Sequence, residues 1–203
     1  TISFLPYWAI IVLAVIAVLT AIIIVVLRPQ DIMKGLRDSR RLSDLRRINE
    51  AITLMTTAEY QGIEENLPWN LSYNEIKYKV FLSLPPLSAT SNCKVDYPEL
   101  PDFSPPWQYI CSATPTANNG TGWVPLDFSK SSLVNMPSLP IDPLNRYPYF
   151  YTFVVGGGYE LTAKLEKIKK GDRNHISVKD GGEHPLVYEI GNNLTLTPPE
   201  IQG

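Results

Sequence analysis

"AIIVLAVIAVLTAIIIVVLRPQDIMKGLRDSRRLSDLRRINEAI", residues 9–52, is the stretch on which the fold turns. From Ala9 to Leu27 the only residue that is not apolar is Thr20, and the run contains no glycine or proline. At about 1.5 Å per residue it is roughly 28 Å long as a helix, close to the hydrocarbon thickness of a bilayer. Being apolar on all sides, such a helix needs apolar surroundings on every face. Lipid supplies them, and so do copies of the same helix. A secretory signal peptide would have a shorter apolar core and a basic start. Here "TISFLPYW" carries no Lys or Arg. Pro6 fits the first turn or the residue before it. Tyr7 and Trp8 suit either a membrane interface or packing between subunits.

The second half of the stretch changes character. Arg28, Lys34, Arg37, Arg40, Arg41, Arg46 and Arg47 stand against Asp31, Asp38 and Asp44. Arg28-Pro29 interrupts the helical ladder, which predicts a kink or a short melted segment at Pro29. Helix then resumes, with Ile32, Leu36, Leu42, Leu45, Ile48, Ile52 and Met55 forming an apolar stripe that must rest on a partner surface. Asp38–Arg41, Arg40–Asp44, Asp44–Arg47 and Arg46–Glu50 lie three or four residues apart. Each pair would contribute about 0.2–0.5 kcal/mol. The arginine cluster reads as a solvated face or as an inter-subunit or membrane-surface contact. Alternating acidic residues weaken a nucleic-acid role. The basic side follows the apolar run, and the charge rule would place it in the cytoplasm. A cysteine-bridged, exported C-terminal part contradicts that placement. Either a lost leader orients the chain, or the segment's final surroundings are not a bilayer.

The chain has 203 residues and a formal net charge of −2, enough for one domain with an appendage and no general attraction to polyanions. Its 18 prolines predict a loop-rich head with short strands. Cys93 and Cys111 suit one bridge in an exported protein, or two free thiols in a cytosolic one; the apolar segment favours the bridge. Closing a loop of that size contributes roughly 3 kcal/mol in the chain-entropy model. "EYQGIEENLPWNLS" reads as loop. "IKYKVFLSLP" alternates as a half-buried strand, with a long proline- and serine-rich loop, poor in core contacts, after it. "YFYTFVVGGGYELTAKL" is a hairpin in which glycine permits the reversal. Leu186–Ile190 reads as a further strand and Leu194–Thr197 as a last edge strand. These elements predict an α+β fold: a long N-terminal helix, apolar then amphipathic, packed on a small antiparallel sheet. The organisation is an apolar helix over 1–27, an amphipathic half over 28–57 and a β-sheet head over 58–203. Leu42, Leu45, Ile48, Ile52 and Met55 are the expected helix-to-sheet contacts.

No phosphate loop, nucleophile elbow or zinc-protease motif is present, so neither an enzyme nor a cofactor is expected. "GGG" at 156–158 has no helix after it and reads as a turn. His175 and His184 read as surface residues. "DPLN" at 142–145 reads as a turn, with a cation-holding loop as the alternative. Asn70, Asn119 and Asn193 head glycosylation sequons.

"RPQDIMKGLRDSRRLSDLRRINEAITLM" resembles the junction of bacterial type IV pilins, where the apolar segment meets an arginine-rich "ARDxxRxSDLxxIxxAL" helix. "GTGWVPLDF", "SLPIDPLNRYPYFYTFVVGGGYELTAKLE" and "DGGEHPLVYEIGNNLTL" resemble the C-terminal half of pilin-like proteins. The resemblance implies a major pilin that polymerises with many copies of itself into an extracellular filament on the cell surface, for adhesion, motility or DNA uptake. Ile10, Leu13, Ile16, Ala17, Leu19, Ile23 and Val26 would pack in the filament core. The unassembled subunit would sit in the inner membrane and meet a prepilin peptidase and the pilus assembly machinery. Type IV pilins usually begin the mature chain with Phe and place Glu fifth; here Leu5 stands at that position, or Trp8 if Phe4 is taken as the first residue. The alternatives are a minor pilin or pseudopilin and, from another class, a single-span membrane-anchored binding protein that never polymerises.

Overall fold

The computed structural model describes residues 6–27, 29–56, 76–87, 93–156, 158–168 and 175–198, with the side chains of 22–27 outside that description. Helix α1 covers Tyr7–Leu27 and helix α2 covers Pro29–Leu54. The kink expected at Pro29 turns on its junction with Arg28, which lies outside the described residues. Pro29 opens α2, where its missing N–H breaks no intrahelical bond. The expected loop "EYQGIEENLPWNLS", residues 59–72, also lies outside them.

The head is built on five strands: β1 (Lys79–Leu82), β2 (Gln108–Cys111), β3 (Tyr151–Val155), β4 (Tyr159–Lys164) and β5 (Val187–Gly191). Their spatial order is β2-β1-β3-β4-β5. The chain is α+β, the hairpin stands where the sequence puts it, and the strand expected at Leu186–Ile190 spans Val187–Gly191. Two expectations need correction. The sheet is mixed, because β1 and β2 run parallel while the other pairs are antiparallel. A parallel neighbour requires a crossover, and the proline-rich connection between β1 and β2 provides it instead of turning back as a hairpin. Leu194–Thr197 is not a strand, because the N–H groups of Leu196 and Thr197 both donate to the Glu160 carboxylate rather than to a ladder.

Alternation sends Phe81, Phe153 and Leu161, which are register partners across β1, β3 and β4, to one face. There they meet Leu45, Ile48, Ile52 and Met55 from the α2 side, with Trp123, Val124, Leu126 and Phe128 closing the layer. Trp123 is buried and donates its Nε1–H to the Pro140 carbonyl at 2.8 Å. Val80, Leu82 and Val154 point the other way, into a second core with Leu84, Leu100, Phe150 and both cysteines. This corrects two readings. The cysteine loop is not poor in core contacts: it forms a third layer, in which Phe103 stacks on Tyr109 at 4.2 Å and Tyr97 donates to the Pro85 carbonyl. Correspondingly, β1 is buried on both faces rather than half-buried. Coverage on both sides also explains why every residue of "YTFVV" is buried, Thr152 included.

The reversal between β3 and β4 needs glycine for space. A Cβ at Gly158 would lie 2.7 Å from both Asn192 Oδ1 and Asn193 Cβ. That close approach lets Asn192 accept the Tyr159 N–H at 2.7 Å and fasten the chain after β5 to the hairpin.

Candidate functional site

The surface of α1 is the first candidate. Ile10, Leu13, Ile16 and Leu19 are 52–56% exposed, and Ile11, Val12, Val15 and Val18 between them are also exposed. Ala17 is exposed as well. Consecutive residues of a helix point in all directions, so the uncovered apolar surface surrounds the rod. Ile23 and Val26 fall among side chains outside the description. Among the described residues no helix is long and apolar enough to cross a membrane. The described side chains of α1 end at Ala21.

The apolar stripe of α2 is covered only in its later part. Leu45, Ile48, Ile52 and Met55 are buried against the sheet, and Leu42 is partly buried beside them. Ile32 and Leu36 are exposed, so the early part of the stripe does not rest on the head. Met33 between them is exposed as well.

Where α2 meets the head, the charged residues do something the sequence reading did not anticipate. The Arg41 side chain is fully buried. Its Nε and second Nη clamp the Asp142 carboxylate at 2.5 and 3.0 Å. Its other Nη donates to Asp38 at 2.8 Å and to Glu166 at 2.7 Å. The guanidinium also lies 4.9 Å from the centre of the Tyr149 ring. Arg37 grips Glu166 with two bonds of 2.7 and 2.6 Å. Asp38 in turn accepts the backbone N–H groups of Glu166 and Lys167, both at 2.9 Å. One turn further along, Tyr151 Oη donates to Asp44 at 2.9 Å. Thus α2 is pinned to the 142–145 turn, to β3 and to the end of β4 by directional, charge-assisted bonds as well as by apolar packing.

These bonds set the ionisation of the cluster. Burial disfavours the charged form of Arg41, but the carboxylates of Asp142, Glu166 and Asp38 outweigh it and raise its pKa. Hydrogen bonds from Arg37 hold the Glu166 carboxyl below its ordinary range, against the effect of burial. Asp44 is shifted upward by burial despite its bond from Tyr151. The arginine cluster is therefore not simply a solvated or intermolecular face: Arg41 and Arg37 are committed within the chain. Arg40, Arg46 and Arg47 remain on the surface, and a shallow groove runs among Ser39, Leu42, Ser43, Arg46, Arg47 and Glu50. Of the expected helix pairs, Asp38–Arg41 forms at 2.8 Å and Arg40–Asp44 at 3.7 Å. Asp44–Arg47 and Arg46–Glu50 are not among the ion pairs of the described residues; Asp44 faces Tyr151 instead, and Arg47 reaches the Asn135 carbonyl.

No family model, curated protein or solved structure matches this chain.

Cys93 and Cys111 form a disulfide, with Cys111 at the end of β2 and Cys93 on a single helical turn. The 142–145 turn does bind a cation, but that cation is the Arg41 guanidinium; Asp142 also accepts the N–H groups of Leu144 and Asn145. His175 caps a helical turn by accepting from Ser177, and the His184 N–H donates to Glu189. Both are partly buried rather than free on the surface. Among the described residues no three His, Cys, Asp or Glu side chains are grouped to hold a metal. Asn119 is exposed and its side chain accepts from Thr121, Asn193 is partly buried, and Asn70 lies outside the described residues.

The cluster makes a pH-dependent prediction. A carboxyl whose folded-state pKa is lowered stabilises the fold above its unfolded value, and that contribution is lost as pH falls through the folded value. Stability should therefore decline as pH drops below about 4, and Glu166→Gln should flatten that acid limb. At neutral pH the same substitution should cost about 1–3 kcal/mol, since it weakens hydrogen bonds to two arginines. Thermal melts of both proteins between pH 2.5 and 7 measure this.

Proposed function

We propose that this chain is the structural subunit of an extracellular type IV pilus-like filament, held together by packing of its apolar N-terminal helix against copies of itself. The observation that carries the reading is the uncovered apolar surface on all sides of α1, with Ile32, Met33 and Leu36 of α2 exposed as well. An exposed apolar surface of that length is not stable in water and needs a partner along its whole circumference. Sister helices supply one after assembly, and inner-membrane lipid supplies one before it.

The junction supports the same reading. A subunit in a fibre transmits force between its core helix and its outward head, and the Arg41 cluster ties α2, the helix that follows the core helix in the chain, to the head by bonds that resist sliding. Arg40, Arg46 and Arg47 beside the groove on α2 would face neighbouring subunits.

Negative-stain microscopy of sheared surface fibres, with mass spectrometry of their subunit, tests the proposal. Abundant fibres composed of this chain are expected. Trace amounts within fibres of another subunit would assign it to a minor pilin or pseudopilin. Recovery with membranes alone would reject polymerisation and favour a single-span anchored binding protein.

A further inference from the structure

The sheet face opposite α2 carries Val80, Leu82, Val154 and the Thr152 hydroxyl over β1 and β3, and β4 and β5 place two carboxyl groups on it. Thr162 is the register partner of Glu189, and Glu160 lies two residues before Thr162, so Glu160 and Glu189 are diagonal neighbours on one face. Glu160 is 0% exposed and Glu189 is 1% exposed. Each has one oxygen committed to backbone. Glu160 Oε2 accepts from Leu196 and Thr197, both at 2.8 Å, and Glu189 Oε2 accepts from His184 at 2.9 Å. Gly182 presses on the second carboxyl so closely that a Cβ there would stand 2.0 Å from Glu189 Oε2. The other two oxygens, Glu160 Oε1 and Glu189 Oε1, are buried and accept from no donor, and so is Thr197 Oγ1.

Two adjacent buried carboxylates cannot both stay charged without a large penalty. A single proton between them gives both orphaned Oε1 atoms a partner and removes one buried charge. We propose that Glu160 and Glu189 share one buried proton, and that this proton latches the segment 192–197 onto the sheet. The segment is held by its N–H bonds to Glu160, so repulsion between two ionised carboxylates acts directly on its attachment.

The surroundings favour the protonated pair. Burial first, and the neighbouring Glu160 next, push the Glu189 carboxyl up to about 8. Among the described residues, Asp180 from the turn before β5 accepts the Glu189 N–H at 2.9 Å and has His175 behind it, His184 approaches through its N–H, and Lys164 of β4 is the diagonal neighbour of Glu189 on the other side of Thr162. The segment 192–197 has no ionisable side chain. From β3 comes only the Thr152 hydroxyl, paired with Thr162 at 2.6 Å. A carboxyl whose folded-state pKa is raised stabilises the fold fully below its unfolded value, and the contribution is lost as pH rises through the folded value. The latch is therefore closed in acid and near neutrality, and opens as pH passes about 8.

Amide exchange at Leu196 and Thr197, followed by NMR on the full chain in detergent with EDTA present, tests this between pH 6 and 9.5. After correction for base catalysis, protection should fall about tenfold for each pH unit above the transition. In Glu189→Gln, whose side-chain amide donates to Glu160 without titrating, protection should not change with pH. Carbon-13 shifts of the Glu160 and Glu189 carboxyls in the unsubstituted chain give an independent reading, and should show one carboxyl titrating well above the ordinary range. Ionisation of both groups below pH 6 overturns the proposal. So does a pH-independent wild type, or full restoration of protection at pH 9 by calcium alone, which would make a metal ion the natural occupant.

Discussion

Arg41→Ala is expected to destabilise the fold by roughly 3–5 kcal/mol, the range for breaking a buried ion pair from one side. The reason lies in what would remain. Asp142, with no exposed side-chain surface, would lose both guanidinium bonds and keep only the N–H groups of Leu144 and Asn145. Asp38 and Glu166 would lose one donor each. Three carboxylates would then face one another with Arg37 as the remaining guanidinium in the network. Arg41→Lys should recover little, because an ammonium cannot reproduce a planar fork that meets Asp142 with two parallel bonds while also reaching Asp38 and Glu166. The double variant Arg41→Met with Asp142→Leu should be more stable than Arg41→Met alone, since it removes the orphaned charge with its partner. Denaturant midpoints of the full chain in detergent measure all four. A loss under about 1 kcal/mol for Arg41→Ala would mean that water reaches the cluster and that the junction is held by apolar packing alone.

This cluster also marks where reading from sequence stops. The later stripe of α2 and the β3–β4 hairpin follow from local periodicity, because each buries a face whose pattern lies within one segment. Which arginine of the helix is buried depends on Asp142 and Glu166, more than one hundred residues away. In "RDSRRLSDLRR" every arginine has an acid within a turn, so charge spacing predicts a soluble helix face equally well for all of them. The same limit explains the cysteine loop. Its prolines signal irregular backbone correctly, but a parallel crossover packed by Phe103, Trp107 and Tyr109 has no periodic signature. Leu194–Thr197 alternates like a strand and is claimed instead by one carboxylate on β4. Ile32 and Leu36 continue the stripe in register, and only the extent of the head decides that it does not cover them.

Ile16→Asp should abolish filaments while leaving the head folded. Ile16 lies midway along the described side chains of α1 and belongs to neither core of the head. The β-sheet signal in circular dichroism and the Cys93–Cys111 bridge should therefore persist. In the proposed filament the same position recurs in every subunit, surrounded by apolar neighbours. A carboxylate there must lose its hydration without gaining a cation, or take up a proton and remain a poorly satisfied polar group. Transfer of a charged residue to the centre of a membrane helix costs about 2.5–3.5 kcal/mol, and the filament would meet a comparable penalty once per subunit. Because a polymer multiplies a per-subunit defect, even the lower figure should reduce the equilibrium constant for adding a subunit by close to a hundredfold. Ile16→Val, which keeps the apolar surface and removes one methylene, should still assemble. Fibre yield by microscopy, measured beside membrane content of the subunit, separates failed assembly from failed insertion. Fibres of normal abundance from the Asp variant would show that α1 does not line an apolar core.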